Sequence, residues 1–190
     1  MPYLGNEVAP LVQALEGKEL KLDSDGDSSI QASTDDTVVV KTNNTTAITV
    51  DSSGRMQLPQ LVHFHANRAG LSQEERGANI NYNVVRDNYS GWNSSNHQYT
   101  IPVTGVYHFG FTNIGKSTLA AIAQNHVLQF VRGGSTTTIA IAYHTNDAVH
   151  ESVALSVTYY LQANDLVQMN SFQGVVYNGN YSTFSICLMG

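Results

Sequence analysis

The run of residues that most suggests chemistry is Gly110-Phe-Thr-Asn-Ile-Gly115-Lys116-Ser117, which satisfies the phosphate-loop pattern G-x-x-x-x-G-K-S. In such a loop, backbone amides cradle phosphates, the lysine reaches the outer phosphate and the serine hydroxyl holds magnesium. The rest of the chain gives it little support, because no later apolar strand ends in an aspartate placed to serve the metal. Only residues 118–190 follow, too few to complete a parallel sheet with its helices. We therefore keep a P-loop nucleotide-binding protein only as a remote alternative to the function that the rest of the chain predicts.

Two histidines are the candidate metal ligands. His63 and His65 alternate in a predicted strand, so both face the same side of it. In a trimer they would form a ring of imidazoles near an axis, which is a plausible metal site. The alternative is that His65 occupies a position free to vary, with no metal bound.

Asp23, Asp25 and Asp27 resemble the start of a calcium loop. An EF-hand would need glycine at position 28 and glutamate at position 34, where this chain has Ser28 and Thr34. The pattern therefore favours a polar turn between strands over a calcium site.

No catalytic arrangement stands out among the seven histidines and the many serines and acidic residues. No nucleophile elbow or paired-carboxylate motif can be tied to them. Cys187 lies in the last predicted strand and is expected to be buried rather than reactive. The sequence therefore predicts a protein that is not an enzyme and that uses no cofactor.

Two loops combine aromatic rings with carboxamides, which can stack on and hydrogen-bond to a ligand. We predict them as receptor-contact segments, and their candidate residues are Tyr89, Trp92, Asn93, Tyr177, Asn178, Asn180 and Tyr181. The alternative for Trp92 is packing against a neighbouring subunit, since subunit interfaces use the same chemistry.

The composition excludes several classes of function. The net charge is −6 and only nine residues are lysine or arginine, so phosphate neutralisation, and with it nucleic-acid binding, is not expected. No apolar run approaches the ~18 residues of a membrane helix, and residues 1–17 show no signal peptide. One cysteine permits no intrachain disulfide. These features suit a protein built in a cytoplasm and exported only by cell lysis, and a plain cytosolic protein fits them equally well.

The first 59 residues divide into two segments. Within residues 1–19, Pro10 and Gly17 bracket one short predicted helix. Residues 20–59 contain an 18-residue repeat of apolar pairs separated by polar turns. The pairs are Leu20/Leu22, Ile30/Ala32, Val38/Val40, Ile48/Val50 and Met56/Leu58.

This repeat predicts an oligomer. Each short strand carries about two apolar side chains, a stripe too narrow for one chain to bury. Three chains around a common axis would bring the stripes together and pair the strand edges, so the repeat predicts threefold symmetry. The alternative is a disordered linker rich in serine, threonine and asparagine.

Residues 60–190 alternate between apolar and polar positions in a succession of strands, which predicts an antiparallel jelly-roll sandwich. Tyr107, Phe109 and Phe111 show the alternation clearly. The strands are predicted at 61–66, 80–85, 98–101, 105–112, 119–132, 137–143, 149–161, 166–172 and 181–188.

Several motifs in this region resemble the globular head of the complement C1q/tumour-necrosis-factor family. They are Phe64-His-Ala66-Asn-Arg68, Tyr99-Thr-Ile-Pro102-Val-Thr-Gly105-Val-Tyr107-His-Phe109, Val131-Arg-Gly133, Leu161-Gln-Ala-Asn-Asp165-Leu-Val167, and Phe184-Ser185 with Leu188. The match covers about residues 61–189. Asn164 stands where the family usually has glycine, and asparagine tolerates the left-handed backbone that such a turn requires. The resemblance implies a ten-stranded jelly roll that assembles as a tight trimer.

The repeat resembles the segments that precede heads in phage tail fibres, and Met1-Pro-Tyr-Leu-Gly-Asn6 resembles the start of marine phage structural proteins. We therefore expect an all-β virion protein: a tail fibre, a head fibre or a capsid decoration. Residues 1–19 would attach to other virion proteins, 20–59 would form a trimeric β-repeat shaft, and the head at 60–190 would bind a host cell-surface glycan or protein. The alternative is a bacterial surface adhesion trimer with the same head.

Overall fold

The computed structural model describes residues 18–71, 78–116, 124–144, 150–173, 175–176 and 179–190. The chain divides between Gln60 and Leu61 into two compact units. Every regular element in the described residues is a β-strand, and all pairing is antiparallel, which confirms the all-β prediction. The described part contains no helix that would span a bilayer. The short helix predicted between Pro10 and Gly17 lies outside the described residues.

The first unit is an antiparallel sheet of five strands that pair in sequence order. Each predicted apolar pair begins inside one of these strands, so the repeat does set the strand positions. The turns between them use left-handed backbone, as at Asn43 and Asn44, which suits the two-residue hairpin between the third and fourth strands. The strands are β1 (Leu20–Lys21), β2 (Ser29–Thr34), β3 (Thr37–Thr42), β4 (Thr45–Val50) and β5 (Met56–Gln57).

The second unit consists of two six-stranded antiparallel sheets. The strands are β6 (His63–Arg68), β7 (Ala78–Asn79), β8 (Asn83–Asp87), β9 (Trp92–Asn93), β10 (Gln98–Thr100), β11 (Gly105–Lys116), β12 (Gln124–Arg132), β13 (Ser135–His144), β14 (His150–Leu161), β15 (Leu166–Gln173), β16 (Val175–Val176) and β17 (Gly179–Leu188). The sheet that we call the β11 sheet has the order β14-β11-β17-β6-β8, with β16 beside β11. The β12 sheet has the order β13-β12-β15-β10-β9, with β7 beside β15. The predicted jelly-roll sandwich is confirmed.

The prediction of one strand at 80–85 is wrong, because the chain around these residues forms two strands in different sheets. β7 pairs with β15 in the β12 sheet, whereas β8 pairs with β6 in the β11 sheet. The chain therefore crosses between the sheets over residues 80–82. Ile80 and Tyr82 are buried at this crossing, which explains why the segment looked like one continuous apolar strand.

The core lies between the two sheets and is rich in aromatic rings. Tyr107, Phe109 and Phe111 of β11 are all buried, as their alternation predicted. Phe64 is fully buried, with its ring centroid 4.9 Å from that of Tyr99. Such close ring pairs add to the free energy of burial.

The turn between β14 and β15 keeps the geometry that the family resemblance requires. Asn164 has a φ of 73°, a left-handed conformation, and its N–H donates to the carbonyl of Ile101 at 2.8 Å. The buried carboxylate of Asp165 accepts two hydrogen bonds from the Arg132 guanidinium, at 2.7 and 2.6 Å, and one from the Gln162 N–H. These bonds join the turn to the neighbouring strands.

Candidate functional site

The phosphate-loop pattern lies within a β-strand. Residues 110–116 belong to β11, which pairs with β14 on one side and with β17 and β16 on the other. Gly110, for example, lies opposite Ser156 and Ser185. A strand flanked on both sides has its backbone N–H groups in ladder hydrogen bonds, so they cannot wrap around a phosphate. The first seven residues of the motif therefore have a structural explanation in the sheet; Ser117 lies outside the described residues.

His63 and His65 lie on the outward side of β6, alternating with the buried Phe64 and Ala66. Partial burial, together with the charge of Arg86 and the neighbouring His65, lowers the pKa of His63 and favours a neutral imidazole. Among the described residues, no group of three metal-ligating side chains includes either histidine. A metal site here thus stays a prediction that needs ligands from further subunits.

Asp23, Asp25 and Asp27 do approach one another, with carboxylate oxygens within 4.8 Å. The Asp23 carboxylate already accepts hydrogen bonds from the backbone N–H groups of Gly26 and Ser28, at 3.0 and 3.2 Å. Hydrogen bonding by Ser28 holds the pKa of Asp23 at about 2. The arrangement is that of a polar turn whose first aspartate fixes the loop backbone.

Trp92, a predicted receptor-contact residue, packs into its own subunit. Its ring stacks on Phe64 at 5.4 Å between centroids and meets Tyr82 edge-on at 6.2 Å. Its backbone N–H donates to the Asp87 carboxylate at 2.9 Å. Tyr89 also packs against this core, whereas the Asn93 side chain is exposed. Of this loop, Asn93 is therefore the candidate that faces solvent.

The second predicted contact segment lies at the other end of strand β6. Tyr177 and Asn178 are outside the described residues, whereas Asn180 is exposed and Tyr181 is 69% exposed. β17 pairs with β6 so that Gly179, beside this segment, lies opposite Arg68. The first loop adjoins the opposite end of β6, where Asn88 bonds the His63 N–H. The described residues of the two segments therefore do not form a single patch on one subunit.

The first unit has two chemically different faces. Cross-strand pairs place Ile30 opposite Leu20 and Val40, and Val50 opposite Val38 and Met56, which makes one face apolar. Six side chains of the repeat remain between 38% and 65% exposed: Leu20, Leu22, Ile30, Val38, Met56 and Leu58.

The other face of this sheet is polar. Glu19 forms ion pairs with Lys21 at 2.8 Å and Lys41 at 3.6 Å, and it accepts a hydrogen bond from Ser29. Hydrogen bonding to Lys21 is the main reason that the pKa of Glu19 falls to about 2. The apolar face is thus a distinct, one-sided surface.

A row of carboxamides crosses the outward face of the β12 sheet, and sequence reasoning identified only its first member. Asn93 of β9 lies opposite Gln98 of β10. The Gln98 amide donates to Gln168 of β15, which donates to Gln129 of β12 at 3.1 Å. Gln129 in turn lies opposite Thr138 of β13. Apolar neighbours on both sides of Gln129 and of Gln168 were the available signal that these two side chains face outward. The alignment of the glutamines in one row depends on strand register.

Comparison with known proteins identifies the fold of the second unit and goes no further. No protein-family model matches the chain, and no curated protein matches it. Among solved structures, Eiger TNF from S. frugiperda matches with a TM-score of 0.58 and 11% identity, covering 68% of this chain and 93% of that one. Murine APRIL, determined at pH 8.5, matches with a TM-score of 0.57 and 9% identity, covering 68% of this chain and 100% of that one. The globular domain of zebrafish complement 1qA protein matches with a TM-score of 0.55 and 17% identity, covering 68% of this chain and 98% of that one. The fold is therefore C1q/TNF-like.

Proposed function

We propose that this chain is a trimeric structural protein of a phage virion, a tail fibre, head fibre or capsid decoration, whose head contacts the host cell surface. In this proposal residues 1–19 attach to other virion proteins, 20–59 form a short shaft and 60–190 form the head. The observation that carries the proposal is the open apolar face of the five-stranded sheet.

An apolar face of this kind favours association. Complete burial of a valine, leucine or isoleucine side chain is worth about 1.5–3 kcal/mol, so covering these half-exposed residues gives about 1 kcal/mol each. The face runs across all five strands, because the apolar positions pair with one another in register. Its reverse side carries the Glu19 ion pairs, so only one side can turn toward an axis. Cyclic symmetry joins three such faces at the centre and leaves the charged sides in water.

The C1q/TNF-like fold of the second unit supports the same assembly, since the family resemblance implies a trimer. A fibre requires both parts: a shaft that three chains stiffen, and a head that presents three copies of one surface. Multivalent presentation raises avidity even where each site is weak. The resemblance of the repeat to segments that precede phage fibre heads is the support for placing this trimer on a virion.

Light scattering on the full chain tests the assembly. We expect a particle of three copies of the 20.7 kDa chain. Ile30→Lys and Gln31→Lys form a matched pair, because these neighbours in β2 lie on opposite faces of the sheet. Ile30→Lys should lower the melting temperature of the shaft, or it should lower the particle mass at low concentration because trimers dissociate. Gln31→Lys should behave as the wild type.

A monomeric wild-type chain at micromolar concentration would refute the proposal, as would equal effects of the two substitutions. The virion assignment has its own test, which is to label purified particles with antibodies raised against the head and to view them by electron microscopy. Particles without label, from an infection that expresses the protein, would exclude a structural role on the virion.

A further inference from the structure

The carboxamide network on the β12 sheet has a fixed hydrogen-bonding direction. The Asn79 amide contacts the backbone carbonyl of Asn96 at 3.1 Å, and a carbonyl only accepts, so that atom of Asn79 is its nitrogen. The same nitrogen donates to the Gln168 oxygen at 3.1 Å. Gln168 must then donate through its nitrogen to the Gln129 oxygen, at 3.1 Å. Among the described residues the Gln129 amide nitrogen has no acceptor, so it is the donor at this end of the network.

The opposite end of the network presents an acceptor. Asn170 donates its amide nitrogen to the Asn79 oxygen at 3.2 Å. Within the part of the chain that the structure describes, neither the Asn170 oxygen nor the Asn125 oxygen on the adjoining strand has a donor, and both oxygens are buried. Unsatisfied acceptors of this kind are uncommon in folded proteins. Because the last side-chain torsion of asparagine is soft, such an oxygen can turn toward a ligand that offers a hydroxyl donor.

The outward positions around this network carry no charge. Alternation along β9, β10, β12, β13 and β15 assigns the described outward positions to amides, threonines, aliphatic residues and one tyrosine. Tyr143 of β13 is 65% exposed and lies opposite Asn125, and Ile141, two residues away on the same face, is 41% exposed. At these described positions a charged ligand would find no opposite charge. A neutral ligand with hydroxyl groups and an apolar ring face would find hydrogen-bonding partners and a ring to stack on.

We propose that this outward face of the β12 sheet is a binding site for neutral glycans, with the Gln129 amide as a hydrogen-bond donor and the Tyr143 ring as a stacking platform. This inference rests on the proposed function, because it specifies what the head would contact on the host. The hydrogen bonds among Asn79, Gln168 and Gln129 hold the amides in place before a ligand arrives, which lowers the entropy lost on binding. The surface also includes Asn93, the exposed residue at the end of the carboxamide row.

The test uses the full chain on an array of neutral oligosaccharides of hexoses and N-acetylhexosamines, with sialylated and sulfated glycans alongside. Two exposed tyrosines provide a matched pair, since Tyr143 is on the β12 sheet and Tyr160, 54% exposed, is on the β11 sheet. We expect binding to neutral glycans that falls at least tenfold in Tyr143→Ala and in Gln129→Ala but is retained in Tyr160→Ala. Each variant is also checked for particle mass and unfolding midpoint, so that a loss of folding is recognised.

Several outcomes would overturn the inference. They are no binding to any glycan on the array, binding to acidic glycans alone, and binding that persists in both Tyr143→Ala and Gln129→Ala. Binding lost in Tyr160→Ala instead would move the site to the β11 sheet. A trimeric, virion-associated protein that binds no glycan would refute this site while leaving the proposed function intact, and that result would point to a protein receptor. A monomeric chain would refute the proposed function itself.

Discussion

Asn164 offers a direct test of how this chain accommodates the turn between β14 and β15. Its φ of 73° is in the left-handed region, where residues other than glycine lose about 1–2 kcal/mol and asparagine loses less. The conformation is held in place because the Asn164 N–H bonds the Ile101 carbonyl and the next residue, Asp165, is tied to Arg132. The turn therefore cannot relax to suit a different side chain.

The expected values follow from this geometry. Asn164→Val should destabilise the head by about 1–2 kcal/mol, because a β-branched side chain cannot adopt a positive φ without strain. Asn164→Gly should be neutral or stabilise by up to about 1 kcal/mol, since glycine adopts this conformation freely. For a chain of this length, 1 kcal/mol corresponds to roughly 2–4 °C in melting temperature.

Trp92 gives the assay. It is the single tryptophan in the chain, and its ring packs on Phe64 inside the second unit, so its fluorescence reports the unfolding of the head. Urea titrations of the two Asn164 variants should give midpoints in the order glycine, wild type, valine. Ala163→Val is the control, because Ala163 is exposed in the same turn and has no positive φ. If Asn164→Val were as stable as Ala163→Val, or Asn164→Gly were the least stable, the account of this turn would be wrong.

Two further predictions concern the same unit. Gly91→Ala should destabilise this unit by about 1–3 kcal/mol. The new methyl carbon would lie 2.7 Å from the Tyr99 ring and 2.8 Å from the Thr100 carbonyl oxygen. An unchanged urea midpoint would contradict this prediction. The Arg132 guanidinium lowers the pKa of Asp165 below the unfolded value near 3.8, so this pair stabilises the head above that pH and its contribution disappears as pH falls through the folded pKa. Between pH 5 and pH 2, the wild type should therefore lose more stability than Arg132→Gln, and equal losses would show that the pair is not coupled to folding.

Local patterning in the sequence determined much of the secondary structure. The apolar pairs beginning at Leu20, Ile30, Val38, Ile48 and Met56 each mark a strand of the first sheet. Alternation also identified the buried face of β11. These features were predictable because a side chain in a strand faces one side or the other according to its position alone. The family motifs, which are also local, extended this to the jelly-roll fold of the second unit.

Features that depend on strand order were not predictable in the same way. Residues 80–85 looked like one strand, yet the chain changes sheets there. Trp92 looked like a surface residue in a polar loop, but it lies in β9 of the β12 sheet and its ring stacks on Phe64 of the β11 sheet. The phosphate-loop pattern has the right residues at the right spacing, and only pairing with β14 and β17 gives it a strand backbone.

The candidate binding surface shows the same division. Gln129 and Gln168 each have apolar residues on both sides, so local patterning predicts that they face outward from a sheet, whereas Gln98 lies between His97 and Tyr99 and carries no such signal. The sequence also predicted that residues 20–59 carry an apolar stripe. The folded chain was needed to show that three glutamines from distant strands lie in one row and that the described parts of the two aromatic loops lie apart. Register and strand order arise from contacts between residues far apart in the chain, and these contacts leave no periodic signal in any one segment.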